Sequence, residues 1–166
     1  MLKITIIYDS KSGHTEKMAE AVNRGVKSLE DIEVKLNHVG KADPEDLLNS
    51  DGIIIGSPTH CGVMSWKLKK FFDENVSTAW GKVEGKIAAA FSSSGGLGGG
   101  NEMAVMSMVN LLLNYGYLVF GLPEYAAPGV TAHYGAVAVG EPDENEIKAC
   151  EMLGKKTAEY VKKMNS

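Results

Sequence analysis

The stretch that most constrains this chain is its opening one, Leu2-Lys3-Ile4-Thr5-Ile6-Ile7-Tyr8, followed by Asp9-Ser10-Lys11-Ser12-Gly13-His14-Thr15. The first part is almost continuously apolar and rich in β-branched residues, the signature of a buried parallel strand. Helical spacing then begins, with Met18, Ala19, Val22, Val26 and Leu29 as its apolar positions. A helix that starts directly after a strand offers free backbone N–H groups and a positive dipole end, which together make an anion site. Ser10, Ser12 and Thr15 add hydroxyl donors to that turn. A phosphate monoester, with a charge of about −1.5 to −2, suits such a pocket. A capped turn without a ligand uses the same residue types, so the spacing alone leaves both readings open. No Lys follows a glycine as in a nucleoside triphosphate loop, and no G-x-G-x-x-G follows the strand. What remains is one terminal phosphate held by S-x-S-G-x-T.

The rest of the chain repeats the strand–helix alternation. Glu33–His38 alternates as a second, more exposed strand, and Asp43-Pro44-Glu45-Asp46 starts a short helix ending near Asn49. Gly52–Gly56 is a third strand, followed by a helix from about Ser65 to Asn75. Lys86–Phe91 is a fourth strand, and the helix after it turns Met103, Val105, Met106, Val109, Leu112 and Leu113 inward. Tyr117–Phe120 is a fifth strand, Gly121 to Gly140 an irregular excursion, and Glu144 to Lys163 a closing amphipathic helix. Such alternation predicts an α/β fold, a parallel sheet covered on both faces. With 166 residues and no linker or repeat, residues 1–166 form one domain.

Composition narrows the function classes. A net charge of −4 without a basic patch argues against nucleic acid. No apolar run approaches the ~20 residues of a membrane span. Cys61 and Cys150 are far apart, which suggests neither a disulfide framework nor a metal site, and so a reducing cytoplasmic home. The chain begins directly with a core strand, leaving no room for a signal peptide.

Three unusual loops follow strands, at Asp9–His14, Ser57–Gly62 and Ser92–Asn101, and so converge on one edge of the sheet. The second and third carry no Asp, Glu, Lys or Arg. Every position from Ser92 to Gly100 except Leu97 is Ser or Gly, far more than a simple strand-to-helix connection needs. Backbone amides, hydroxyls and bare glycines suit a flat, uncharged, amide-rich ring. A ring of that kind at one end and a phosphate at the other describes flavin mononucleotide (FMN).

On these stretches the chain resembles the flavodoxin-like FMN proteins, above all the WrbA-type NAD(P)H:quinone oxidoreductases and their flavodoxin relatives. The matching residues are Tyr8–Thr15, Gly56–Gly62 with Met64-Ser65, and Phe91–Ser94 with Gly98–Glu102, in order and each after a strand. The resemblance implies a doubly wound five-stranded parallel sheet of order 2-1-3-4-5. It implies that Ser10, Lys11, Ser12, Gly13, His14 and Thr15 hold the phosphate, and that Pro58, Thr59, His60, Cys61 and Gly62 line one side of the ring. Ser93, Ser94, Gly95, Gly96, Gly98 and Gly99 would take its pyrimidine end and ribityl chain. Tyr115 stands where the WrbA type has a histidine beside the ring. Trp80 matches a tryptophan that lies over the substrate side of the ring in a neighbouring subunit, which implies a homo-dimer or homo-tetramer. His133-Tyr134-Gly135-Ala136 matches a stretch close to the same edge, and the third loop is one residue longer than in the WrbA pattern.

Of the remaining candidates, His133 is placed to assist a quinone or nicotinamide, because glycine-flanked loop surrounds it. His60 faces the ring edge, His14 contributes its backbone, and His38 on the exposed strand is inert. Cys61 without a partner packs as a small apolar residue, and no residue is required as a nucleophile. Three functions follow. A two-electron reductase would pass hydride from NAD(P)H through the flavin to a quinone, and the neutral ring loops favour it. A one-electron carrier serving a redox protein benefits from acidic residues around the flavin and an acidic docking face. A non-catalytic FMN-binding module is the third.

Overall fold

The computed structural model describes all 166 residues. β1 (Leu2–Tyr8), β3 (Gly52–Pro58) and β4 (Ile87–Ser94) form the centre of the sheet, and β2 (Ile32–His38) flanks β1. All pairings are parallel, in the order β2-β1-β3-β4-β5, where β5 is only Leu118–Val119. The outer position beside β4 is shared. Leu118 and Val119 pair with Ile87 and Ala88, whereas β8 (Ala136–Val139) pairs with Phe91 to Ser94. Between them the chain leaves the sheet and forms an antiparallel ribbon, β6 (Leu122–Ala127) with β7 (Val130–Ala132).

This corrects the expectation of one fifth strand and an irregular excursion. Ala136-Val137-Ala138-Val139 alternates and buries both alanines completely, but it is short and bordered by glycines, so its sequence reads as loop. β4 also runs three residues further than expected. Ser92 to Ser94 stay in the ladder because their hydroxyls find partners at the strand end, Ser92 Oγ donating to the Ser57 carbonyl at 2.8 Å.

Helices cover both faces. α1 (His14–Lys27) and α6 (Glu144–Met164) enclose one core with Ile4, Ile6, Ile54 and Phe91. On the other face α2 (Glu45–Asn49), α3 (Trp66–Glu74), α4 (Val76–Ala79) and α5 (Asn101–Asn114) enclose Ile7, Ile53, Ile55 and Phe72. β1 and β3 supply apolar residues to both cores, which is why their sequences are apolar throughout. Two helix starts are capped by side chains: Asp143 and Glu146 form a reciprocal capping box on α6, and Ser65 Oγ accepts the Leu68 N–H on α3. No helix is long and apolar enough to cross a membrane.

A candidate cofactor site at the strand ends

The loops after β1, β3 and β4 meet at one rim and are tied to one another. The Asp9 N–H donates to the Gly56 carbonyl at 3.0 Å, and the Thr59 N–H to the Ser93 carbonyl at 2.7 Å. Thr15 Oγ1 lies 2.8 Å from Ser93 Oγ, joining the first loop to the third, and Thr59 Oγ1 lies 3.2 Å from Ser92 Oγ, joining the second. A Cβ built on Gly100 would stand 3.6 Å from Gly62 Cα, so these two loops touch through their backbones.

The first loop is an anion cradle. Gly13 precedes α1 at φ 90°, a left-handed conformation that favours glycine. Ser10 Oγ accepts the N–H groups of Gly13 (3.1 Å) and Glu16 (3.3 Å), which fixes the loop. The N–H groups of Lys11, Ser12, His14 and Thr15 find no acceptor in the chain. Four free donors at the start of a fourteen-residue helix suit a phosphate.

The second loop is a tight two-residue hairpin. His60 and Val63 exchange both backbone hydrogen bonds, at 2.9 and 3.1 Å, across Cys61 (φ 50°) and Gly62 (φ 85°). Two consecutive positive φ values are those of a type I′ turn, and a cysteine in the first of them is strained. The Cys61 side chain is exposed rather than packed, contrary to the sequence expectation. The loop base is fixed by the Ser65 N–H donating to Ser57 Oγ (2.7 Å) and the Met64 N–H to Ser107 Oγ (2.9 Å).

The third loop projects from the rim. Gly95 to Gly99 are exposed, and a Cβ on Gly13, Gly62, Gly95, Gly96 or Gly98 would meet nothing within 4 Å. The open side of these loops therefore carries bare backbone and hydroxyls, with Lys11 of the first loop as its one exposed fixed charge. A phosphate with a flat, neutral ring system fits that donor set, so the residues present fit FMN.

The structure brings Ser10–Thr15, Pro58–Gly62 and Ser93–Gly99 together, with Ser93 and Ser94 lying in the end of β4 rather than in the loop. It does not bring Trp80 or Tyr115 to them. Tyr115 caps the C-terminus of α5, three residues before Leu118, which pairs with Ile87 at the start of β4. The site lies beyond Ser94 at the other end of β4, about 20 Å away at ~3.3 Å per strand residue. Tyr115 is buried, its hydroxyl donating to the Phe72 carbonyl at 2.6 Å, and Trp80, 50% exposed, packs edge-on against it at 5.4 Å. Burial holds the Tyr115 phenol neutral above its ordinary range, with Asp73 adding to the effect. Within one chain, then, Tyr115 is a core residue and not a cofactor contact. His133 sits beside the outer side of the third loop, lining a cleft of about 590 Å³ with Leu97, Gly98 and Tyr134. Its Nδ1 lies 2.8 Å from the Leu122 carbonyl, so the proton is on Nδ1 and a neutral ring leaves Nε2 as an acceptor.

One group was missed. Asp9, 2% exposed, has Oδ1 3.3 Å from His38 Nε2 and 3.6 Å from Lys67 Nζ, without a hydrogen bond of good geometry to either. His38 Nδ1 accepts the Gly40 N–H at 3.1 Å, so Nε2 is the nitrogen that carries the ring proton. His38 is therefore not inert: its ring lies beside a buried carboxylate at the start of the first loop. The signal was the register of two parallel strands, which puts His38 opposite Tyr8 and one step from Asp9.

The family model described as Flavodoxin matches residues 6–122. A flavodoxin of Aquifex aeolicus is 53% identical over 162 residues, covering 97% of this chain and 88% of that protein. A protein of Archaeoglobus fulgidus named NAD(P)H dehydrogenase (quinone) is 33% identical, with 99% of this chain and all of that protein covered (100%). Among solved structures, a flavodoxin described as a WrbA-like protein from Agrobacterium tumefaciens superposes with a TM-score of 0.78 at 26% identity, covering 98% of this chain and 99% of that one.

Proposed function

This chain belongs to the flavodoxin family, whose cofactor is FMN, and we propose that it is an electron carrier, handing single electrons from its flavin to a redox protein. The observation that carries this reading is the openness of the rim on the ring side. Val63, Trp66, Leu97 and Met103 surround it in exposed positions, and the two aromatic residues that the resemblance sets against the ring, Trp80 and Tyr115, lie at the opposite edge. A flavin edge left open in its own chain suits a protein that must approach it closely.

FMN, when bound, supplies reversible electron transfer that no side chain of this protein can perform. The chain's own residues hold and orient it. The free N–H groups of Lys11, Ser12, His14 and Thr15 take the phosphate, with Ser10 Oγ keeping the loop in shape. The Cys61-Gly62 turn holds backbone beside one face of the ring and the glycines of the third loop admit its other end. Because these two loops are uncharged, they add no carboxylate that would oppose reduction. The Asp9 charge is offset by Lys67, whose Nζ lies 3.6 Å from Oδ1.

A second reading, a two-electron NAD(P)H:quinone reductase of WrbA type, is supported by the Archaeoglobus relative of that name and by the half-exposed Trp80, free to enter the site of a neighbouring subunit in a dimer or tetramer. Purified protein separates the readings. Quenching of flavin fluorescence on titration tests FMN. Stepwise photoreduction should then accumulate a one-electron form, and NAD(P)H should be consumed slowly with a quinone present. Rapid NAD(P)H-dependent quinone reduction would transfer the assignment to the reductase, and a colourless protein that ignores added FMN would defeat both.

A further inference from the structure

The carboxylate buried at the root of the anion cradle takes its counter-charge from the helix that follows the second loop. Asp9 comes directly after β1 and precedes Ser10, whose Oγ holds the cradle in shape. Its N–H donates to the Gly56 carbonyl, and its side chain is all but out of water, with Oδ1 lacking a hydrogen-bond partner. An ionised carboxylate so placed is costly unless an opposite charge stands beside it. His38, at 3.3 Å, brings a ring whose Nδ1 accepts the Gly40 N–H and which therefore carries one proton and no net charge. That leaves Lys67, whose Nζ is 3.6 Å from Oδ1. Lys67 is the second residue of α3, which begins at the Ser65 cap where the second loop ends. Helix electrostatics does not account for a lysine there, since the first turn is the positive end of the macrodipole and favours acids, but Asp9 does. The lysine keeps 48% of its side chain in water and the carboxylate 2%, so the two partners are not equivalent. Losing the lysine strands a buried charge, whereas losing the carboxylate frees a cation that water already solvates.

We propose that Lys67 is a positioning residue for the cofactor: by neutralising Asp9 it lets the first loop accept a phosphate dianion, and it does so without contacting the cofactor. The inference rests on the FMN reading of the site. With Lys67 removed, a phosphate of about −1.5 to −2 charge would share one short loop with an uncompensated carboxylate, in surroundings where water screens little. The free N–H groups of Lys11, Ser12, His14 and Thr15 would then have to offset two anions rather than one. A lysine that instead reached the phosphate itself would also weaken binding when removed, but that loss could not be repaired at Asp9.

Dissociation constants are read by quenching of flavin fluorescence on the full chain after its flavin is removed. Lys67→Met should weaken FMN binding about tenfold or more, and Lys67→Arg, which keeps the charge, should not. Adding Asp9→Asn to Lys67→Met should restore FMN affinity to within about threefold of the parent, because no charge is then left unpaired. Riboflavin has the same ring and ribityl chain without the phosphate, and its binding to Lys67→Met should stay within about twofold of the parent. Undiminished FMN binding by Lys67→Met would overturn the proposal. So would a double variant as weak as the single one, which would give Lys67 a direct contact with the phosphate. Equal losses of FMN and riboflavin would overturn it too, the lysine then serving the ring side or the packing of α3. Urea midpoints of the flavin-free variants show whether Lys67→Met is folded. Should it not be, Asp9→Asn alone and the double variant decide: the proposal requires FMN affinities equal within about threefold, and a direct contact requires a loss. A parent that binds neither flavin would fail the cofactor reading, an outcome distinct from all of these.

Discussion

Two single positions test how much of this site is chemistry and how much is packing. Gly13 has a φ of 90° and open space where a Cβ would go, so the turn resists most side chains by backbone strain alone. Asn and Asp tolerate left-handed backbone best among the others. Gly13→Asp should therefore lose FMN affinity by about tenfold or more, a carboxylate being set against the phosphate, while the isosteric Gly13→Asn keeps most of it. Equal losses in the two variants, measured by flavin fluorescence, would show strain rather than charge at work. Tyr117 illustrates the opposite case. Its hydroxyl is buried without a hydrogen-bond partner, and burial pushes the phenol far up, with Tyr115 adding to it. Tyr117→Phe removes that unpaired group and should raise unfolding free energy by about 1 kcal/mol in urea titrations. Tyr8 supplies a pH dependence. Burial first, then its hydrogen bond to Glu16, raises its pKa from 10.0 to about 12. Between those two values the unfolded chain releases a proton that the folded one keeps. Stability is therefore fully present below pH 10 and falls as pH rises toward 12. Tyr8→Phe should flatten part of that alkaline fall, read as urea midpoints against pH, the other buried tyrosines accounting for the rest.

Two helices cross so closely that a glycine in each is a packing residue. A Cβ on Gly25 of α1 would lie 2.0 Å from the Glu151 carbonyl oxygen, and one on Gly154 of α6 would lie 2.1 Å from that of Val22. Replacing a helical glycine by alanine ordinarily favours the helix by about 1 kcal/mol. Here Gly25→Ala should instead destabilise by about 1–3 kcal/mol through overpacking, since backbone on the facing helix must move. A stabilised variant in a thermal melt would show that the crossing is looser than described. The same scale shows what was legible in the sequence. β1 and β3 were plain because apolar side chains on both faces leave no other placement for Ile4 to Ile7 or Ile53 to Ile55. β8 was hidden because a four-residue strand of Ala and Val takes its identity from β4, to which it pairs, and not from its own periodicity. The three loops could be read because strand ends in a parallel sheet must share an edge. Tyr115 and Trp80 could not be placed that way. α5 carries the chain about 21 Å back along the sheet at ~1.5 Å per residue, and likeness of sequence does not say to which chain's site a residue at its far end belongs.

For the molecule as a whole, the two edges of the sheet have become chemically different, and the aromatic pair at the second edge decides whether one chain is a complete unit. Trp80 is half exposed, a large apolar group that gains by being covered. Its own site is out of reach beyond the length of β4, so any effect on flavin or acceptor must come from another copy. In dilute protein shown by sedimentation to be monomeric, Trp80→Ala and Tyr115→Phe should leave FMN affinity within about twofold of the parent, because electrostatic and contact effects fade over such a span. Tyr115→Phe should still cost about 1 kcal/mol of stability, the hydrogen bond to the Phe72 carbonyl being lost from the core. If the chain assembles, Trp80→Ala should lower NAD(P)H–quinone turnover only at concentrations where the oligomer forms, a dependence that a role within one chain cannot produce. Loss of FMN binding by the monomeric Trp80→Ala protein would mean that the two edges communicate, and the separation of cofactor loops from the aromatic pair would fail.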